Sequence, residues 1–227
     1  LSQCGVIAAN DDVNFDEWFD NKTLRVDYIL PGDSARQELS LDELLCLQTW
    51  AGRRHNLDSL SVAGNGQIVM RDSLTRKVIY RTSFSSLFQE WQSTEEATRL
   101  RRSFENVFLL PMPKRAAELS VTLFDTHRKP LARLNHYVNP KDILIRNLSN
   151  APKHEYKYIW RGGSPDTCID VAVVAEGYTV SEMNKFYERA EETAQSLFAA
   201  EPFKSYKYNF NIVALAVPSQ DTGVSIP

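Results

Sequence analysis

The stretch "VAVVAEGYTVSEMNKF", residues 171–186, decides the fold of the C-terminal part of the chain. Residues 169–175 are mostly β-branched or small and apolar, which predicts a strand buried on both faces. Gly177 follows, at a position where the backbone can turn without a Cβ penalty. Thr179 and Glu182 then fit a capping box, in which each residue satisfies a backbone N–H of the other. The pattern therefore predicts a buried strand that enters a helix.

The helix is predicted over residues 181–200, because Pro202 disfavours the helical conformation of the residue before it. One stripe at helical spacing is apolar: Met183, Phe186, Tyr187, Ala190, Ala194, Leu197 and Phe198. A second buried strand is predicted over residues 210–217. Strand, helix and strand form a βαβ unit, in which the two strands are parallel and the crossover is right-handed.

A nucleotide site is disfavoured by the glycines of this stretch. Dinucleotide folds need about three close glycines, and a P-loop needs GxxxxGK[ST]. Gly177 stands alone, and bulky Tyr178 follows it. The unit is therefore predicted to support a core or a site of another kind.

Length and charge narrow the class of protein. The chain has 227 residues, enough for one large or two small domains, and a formal net charge of −3. This charge disfavours a nucleic-acid partner bound through phosphate neutralisation. Basic residues cluster at 53–55 and 99–102, but acidic residues lie close to both, so solvated faces are expected. No apolar run approaches the length of about 20 residues that a transmembrane helix needs.

Residues 14–150 are predicted to form a β-sandwich-like domain. Residues 24–30 alternate apolar and polar side chains, and residues 67–71 and 77–81 fit a hairpin. A short amphipathic helix is expected over 41–50, and further short helices near 86–91 and 94–100. The remaining strands are expected at 106–110, 119–124, 131–138 and 143–145. Residues 151–166 read as a linker, and residues 167–227 as a partial α/β domain, so the fold class is mixed α+β.

The cysteines give neither a metal spacing nor a disulfide framework. Cys46 and Cys168 are predicted to be small core residues. Cys4 lies in "LSQCGVIAAN", within a segment 1–13 that reads as a leader remnant or flexible tail. Export is the preferred interpretation of this segment. Lipid attachment at Cys4 is the alternative, although Gln3 departs from the lipoprotein pattern.

No complete active site is found among the residue patterns. A zinc peptidase helix needs HExxH, and "HEYKY" has Tyr158 where the second histidine is required. No GxSxG elbow occurs. Glu176 is the one carboxylate at the end of a buried strand, where it could serve a site or cap the next turn. The four histidines have no helical partner among them, so no metal, cofactor or catalytic residue is predicted: His55, His127, His136 and His154.

Several long segments resemble the IgA-peptidase-like zinc metallopeptidases of secreted bacterial proteins, the sixty-fourth metallopeptidase family. The segments that carry the resemblance are "LDELLCLQTWAGRRHNLDSL", "IYRTSFSSLFQEW", "FENVFLLPMP", "DVAVVAEGYTVSEMNKF" and "LFAAEPFKSYKYNFNIVALAVPSQDTGVSIP". The resemblance implies a β-rich N-terminal domain followed by the opening of a zincin-like catalytic domain. In that family the HExxH helix follows the segment that matches "SQDTGVSIP", so no catalytic or metal residue is carried over to this chain. Zinc, peptide-bond hydrolysis, a protein or peptide substrate and a secreted, periplasmic or cell-surface location are implied for the parent protein.

Two functions remain open from the sequence. The first is the non-catalytic N-terminal portion of such a peptidase, whose incomplete sheet could associate with another copy. The second is a stand-alone module that binds a protein or glycan without enzymatic activity. Exposed aromatic side chains on one sheet face would favour the second function, and Trp91 and Trp160 are the candidates, although core packing is the default expectation for both.

Overall fold

The computed structural model describes residues 13–60, 62–148 and 154–223, and the chain divides into two compact units, Leu1–Asn150 and Ala151–Pro227. The first unit is built mainly from strands, and the second combines three strands with one long helix, so the mixed α+β class is confirmed. The leader or tail predicted at residues 1–13, including Cys4, lies almost entirely outside the described residues.

The first unit contains two four-stranded sheets. The elements are α1 Phe15–Trp18, β1 Phe19–Gly32, β2 Ser40–Leu47, β3 Gly66–Asp72, β4 Val78–Phe84, α2 Phe88–Gln92, β5 Arg102–Pro113, β6 Ala117–Phe124, β7 Pro130–Val138 and β8 Arg146–Asn147. The strand orders of the two sheets are β5-β1-β2-β8 and β4-β3-β6-β7, and every pair is antiparallel except β2 with β8. A short 3-10 helix, Glu96–Thr98, precedes β5.

Strand β1 carries the core of this unit. Leu24, Val26, Tyr28 and Leu30 are fully buried, as their alternation predicts. They belong to one hydrophobic cluster that also contains buried residues of β3 and β6 in the other sheet. The predicted hairpin is present as well, because β3 pairs with β4 in antiparallel register.

The helix predicted over residues 41–50 is wrong, because most of this stretch forms strand β2. Its residues pair with β1 on one side, where Cys46 lies opposite Leu24, and with β8 on the other. Leu45 and Cys46 are both buried although they are adjacent. Hydrogen bonds to two neighbouring strands and this burial outweigh the helical periodicity of a short apolar stretch. Cys46 still occupies the predicted core position.

The strand predicted over residues 143–145 is also wrong. Ile143 and Leu144 are 95% and 80% exposed. The Asp142 carboxylate accepts the backbone N–H of Leu144 at 2.9 Å, and the Asp142 carbonyl accepts that of Ile145 at 3.2 Å. An aspartate that binds the backbone two residues on favours a turn, so pairing begins only at β8.

The second unit is a three-stranded sheet with one long helix. Its elements are β9 Glu155–Arg161, β10 Ile169–Val174, a 3-10 helix Val180–Glu182, α3 Met183–Ala199, α4 Phe203–Tyr206, a 3-10 helix Lys207–Asn209 and β11 Phe210–Ala216. The strand order is β10-β11-β9. The predicted parallel pairing is confirmed, because β10 and β11 run parallel, whereas β9 pairs antiparallel with β11. The stretch 151–166 is therefore not only a linker, since it contains β9.

Helix α3 packs the predicted stripe inward. Phe186, Ala190 and Ala194 are buried, and Phe186 and Ala190 share a cluster with Ala175 and Ala214. Pro202 follows the helix end as expected. Among the described residues, no helix has both the length and the apolar character needed to span a bilayer.

Strand β10 is not buried on both faces as predicted. Ile169 and Val174 are 58% and 51% exposed, whereas β11 is largely buried. These side chains of β10 are exposed because the strand lies at the edge of the sheet, where it pairs only with β11 among the described strands. An apolar sequence alone does not distinguish a central strand from an edge strand.

Candidate functional site

The carboxyl ends of β10 and β11 meet in two interlocked loops, the position where open α/β sheets usually carry a site. The backbone N–H of Gly177 donates to the Ser219 hydroxyl at 2.9 Å. The N–H of Ser219 donates to the Tyr178 carbonyl, and that of Gly223 to the Gly177 carbonyl, both at 2.8 Å. Three hydrogen bonds therefore join segments far apart in sequence. We call these segments, residues 176–179 and 218–223, the strand-end loops.

Gly177 is required at this position for two reasons. Its φ of +74° lies in the left-handed region, which side chains with a Cβ rarely adopt. A Cβ at Gly177 would also approach the Gly223 carbonyl oxygen to 2.7 Å. Because that atom belongs to backbone, it could move only if the second loop moved with it.

Glu182 fixes the entry to α3 as the capping box predicts. Its carboxylate accepts the Thr179 backbone N–H and the Thr179 hydroxyl, both at 3.0 Å. The Thr222 hydroxyl donates to the other carboxylate oxygen at 3.0 Å. These hydrogen bonds lower the pKa of Glu182, with the Thr179 backbone as the largest cause. Glu182 thus ties the helix start to the second strand-end loop.

Glu176 does not serve as the cap. Its side chain is exposed, and the N–H groups of Gly177 and Thr179 bind Ser219 and Glu182 instead. Sequence reasoning selected Glu176 by its place after the strand. It missed Ser219 and Thr222, which only the parallel pairing of β10 with β11 brings close. The carboxylate of Glu182 therefore holds the helix start and the second strand-end loop together, and the carboxylate of Glu176 faces solvent.

The histidines are not brought together into a metal site. His55, His127 and His136 lie in the first unit, and His154 is exposed beside β9 in the second. Within the described ranges, no group of three or more His, Cys, Asp or Glu side chains could hold a metal ion. The cysteines do not add one, because Cys46 is buried in β2 and Cys168 is partly buried before β10.

His136 has a structural role that the sequence did not indicate. Its Nε2 lies 2.6 Å from the hydroxyl of Tyr28, which is fully buried, and the two rings pack edge to face. Burial raises the pKa of Tyr28 and lowers the pKa of His136. The Tyr28 hydroxyl and Nε2 of the neutral imidazole share this hydrogen bond, which links β7 to β1.

Protonation of His136 is expected to destabilise the first unit. Because the folded pKa lies below the unfolded value of 6.5, the unfolded chain binds the proton more readily. The stabilisation is complete above about pH 6.5 and is lost as the pH falls through the lower, folded pKa. Urea unfolding from pH 7.5 to 5 should show this loss, and His136→Gln should weaken the pH dependence. His127→Gln, at an exposed turn, is the matched control, and an unchanged profile in His136→Gln would contradict the assignment.

Trp91 and Trp160, the two candidates for exposed binding groups, are both partly buried. Trp91 packs against Phe88 and Phe104 and donates its Nε1–H to Glu96 at 2.8 Å. Trp160 packs against Phe198 and donates its Nε1–H to the Lys207 carbonyl at 2.8 Å. Trp91 is therefore mainly a core residue, whereas Trp160 also lines a groove beside α3.

Comparison with known protein families agrees with this organisation. The family model described as Peptidase M64 N-terminus matches residues 14–135, and that described as IgA Peptidase M64 matches residues 159–227. A search of the curated proteins finds no match. The first family match covers β1 to β6 and most of β7 in the first unit, and the second covers the βαβ unit with its strand-end loops. The chain therefore belongs to the M64 peptidase family.

Proposed function

We propose that this chain is the non-catalytic N-terminal portion of a secreted bacterial zinc metallopeptidase of this family. In this proposal the first unit is an accessory β-sandwich, and the second is the start of a zincin-like peptidase domain. The parent protein hydrolyses peptide bonds in a protein or peptide substrate. Export is supported by the small-residue segment "LSQCGVIAAN", with lipid attachment at Cys4 as the alternative.

The observation that carries the proposal is the construction of the second unit. Residues 159–227 match the IgA peptidase model, yet the polar groups at its strand ends are engaged with one another. Ser219, Glu182 and Thr222 hold backbone and helix in place. These contacts favour a supporting role for the βαβ unit beside a catalytic centre that other residues supply.

The residues present do not fit the zinc that the family implies. Catalytic zinc needs three protein ligands around an open position. His136 is committed to Tyr28, and His154 precedes β9 with Tyr158 at the position of a second ligand. The described residues hold no alternative group of three ligands. No step of peptide hydrolysis is therefore assigned to side chains of this chain.

A peptidase assay on two lengths of the protein tests the proposal. The chain of residues 1–227, supplied with zinc, is expected to leave labelled casein intact. A form extended through an HExxH helix is expected to cleave it, and replacing the glutamate of that motif should abolish cleavage. Cleavage by residues 1–227 alone would contradict the proposal.

A further inference from the structure

A groove in the second unit is built between α3 and β9. Helix α3 contributes Glu191, Ala194, Gln195 and Phe198, which share one face at helical spacing. Strand β9 contributes Ile159 and Trp160. Ala194 is buried at the floor, and Phe198 and Trp160 form an aromatic wall with ring centroids 5.5 Å apart.

A β-bulge turns Trp160 toward this groove. In the pairing of β9 with β11, Trp160 lies opposite Ile212 and Tyr158 opposite Val213, so Ile159 is an extra residue. Successive strand side chains normally point to opposite faces. The bulge instead allows Ile159 and Trp160 to lie against the same helix, a common use of bulges near sites.

Two lysines give the groove a positive rim. Lys204 and Lys207 line one end, and within residues 154–223 neither forms an ion pair. The one acidic lining residue, Glu191, is neutralised by Lys157 at 2.7 Å. An anionic group that enters the groove therefore meets unpaired cations.

The aromatic wall is held in position before any ligand arrives. The Trp160 Nε1–H donates to the Lys207 carbonyl, and the Lys207 ammonium lies 5.3 Å from the Trp160 ring centroid and 5.0 Å from that of Tyr208. These contacts fix the indole and keep one cation beside it. A site whose groups are already ordered loses less entropy on binding.

We propose that this groove binds an extended acidic peptide segment, with an apolar side chain on the Trp160–Phe198 wall and a carboxylate at Lys204 and Lys207. A peptide is favoured over an acidic glycan because β9 lies at the end of the sheet. Among the described residues no strand pairs with its outer edge, where backbone groups can receive an extended chain. The proposal concerns binding alone and stands whether or not the chain is part of a peptidase.

Fluorescence anisotropy with a small panel of labelled heptapeptides tests this site. Each peptide has two acidic residues on both sides of a central phenylalanine, leucine or isoleucine. The variants are Lys204→Glu and Gln195→Glu, which change exposed side chains of the groove. Lys185→Glu, at an exposed position of α3 outside the groove, is the matched control.

At least one panel peptide should bind with Kd below about 1 mM, and the Lys204→Glu and Gln195→Glu variants should raise Kd about tenfold. Lys185→Glu should change Kd less than about twofold, and peptides with lysine in place of the acidic residues should not bind. Absence of binding across the panel would overturn the proposal. So would equal weakening by Lys185→Glu, or selective binding of oligogalacturonate in place of the peptides.

Discussion

Replacing Phe186 with alanine is expected to destabilise the second unit by about 3–5 kcal/mol, as for other buried aromatic residues. Phe186 is 3% exposed, and its ring lies 5.6 Å from that of Tyr178 and 5.3 Å from that of Tyr187. The other buried residues of the cluster are alanines, whose short side chains cannot fill the space left, and Ile159, Val173 and Met183 pack against it only partly buried. Because domain stabilities are typically about 5–15 kcal/mol, this loss could unfold much of the unit at 37 °C.

The measurement should report on the second unit alone. Trp160 is the only tryptophan in that unit, whereas Trp18, Trp50 and Trp91 lie in the first. Fluorine NMR of fluorotryptophan-labelled protein during urea unfolding therefore separates the unfolding of the second unit from that of the first. Tyr206→Ala, at a side chain that is 60% exposed, is the control and should cost less than about 0.5 kcal/mol. A similarly small loss for Phe186→Ala would show that the packed face of α3 is wrong.

Gly177→Ala is expected to cost about 2–5 kcal/mol, the sum of a left-handed backbone and forced displacement of packed atoms. The φ of +74° accounts for the first contribution, and the approach to the Gly223 carbonyl for the second. The hydrogen bonds between the strand-end loops should weaken at the same time. Hydrogen exchange at the amides of Ser219 and Gly223 should therefore accelerate in the variant.

Gly223→Ala is the matched control for Gly177→Ala. Gly223 also has a positive φ, +81°, but a Cβ there would meet no described atom within 4 Å. Its expected cost is the backbone contribution alone, about 1–2 kcal/mol. Equal losses in the two variants would show that the close approach of the loops contributes nothing.

Local patterns in the sequence predicted the elements that depend on local chemistry. The period of α3 identified Phe186 and Ala190 as buried, and the alternation of β1 identified Leu24 and Tyr28. The capping residues Thr179 and Glu182 were identified in the same way. Each of these features is specified within a few residues, so no knowledge of distant strands was needed.

The failures concern features that distant residues determine. Residues 41–47 carry a pattern compatible with a helix, and only pairing with β1 and β8 makes them a strand. The apolar run 169–174 has the composition of a central strand, but its place in the sheet exposes Ile169 and Val174. The burial of a strand depends on the elements that pack against it, and the residues of the strand itself do not specify those elements.

Of the two strand-end loops, the sequence predicted only the first, at residues 176–179. Gly177 indicated a turn at the end of β10, but nothing in residues 171–186 shows that Ser219 and Gly223 bind it. The groove at Trp160 was similarly hidden, because the bulge at Ile159 depends on the register with β11. The sequence signal for the groove was the pair of lysines in "EPFKSYKYNF". These lysines could be assigned to a groove only once the position of α3 was known.

Zinc stoichiometry tests the central claim, that this M64 chain supports a catalytic centre without containing it. Elemental analysis after dialysis of residues 1–227 against zinc-free buffer is predicted to find well under one zinc per chain, because the described residues, with His55, His127, His136 and His154 among them, contain no group of three or more side chains that could hold a metal ion. The form extended through an HExxH helix should retain one. One tightly bound zinc per chain of residues 1–227, lost on replacing any of the four histidines, would contradict the account.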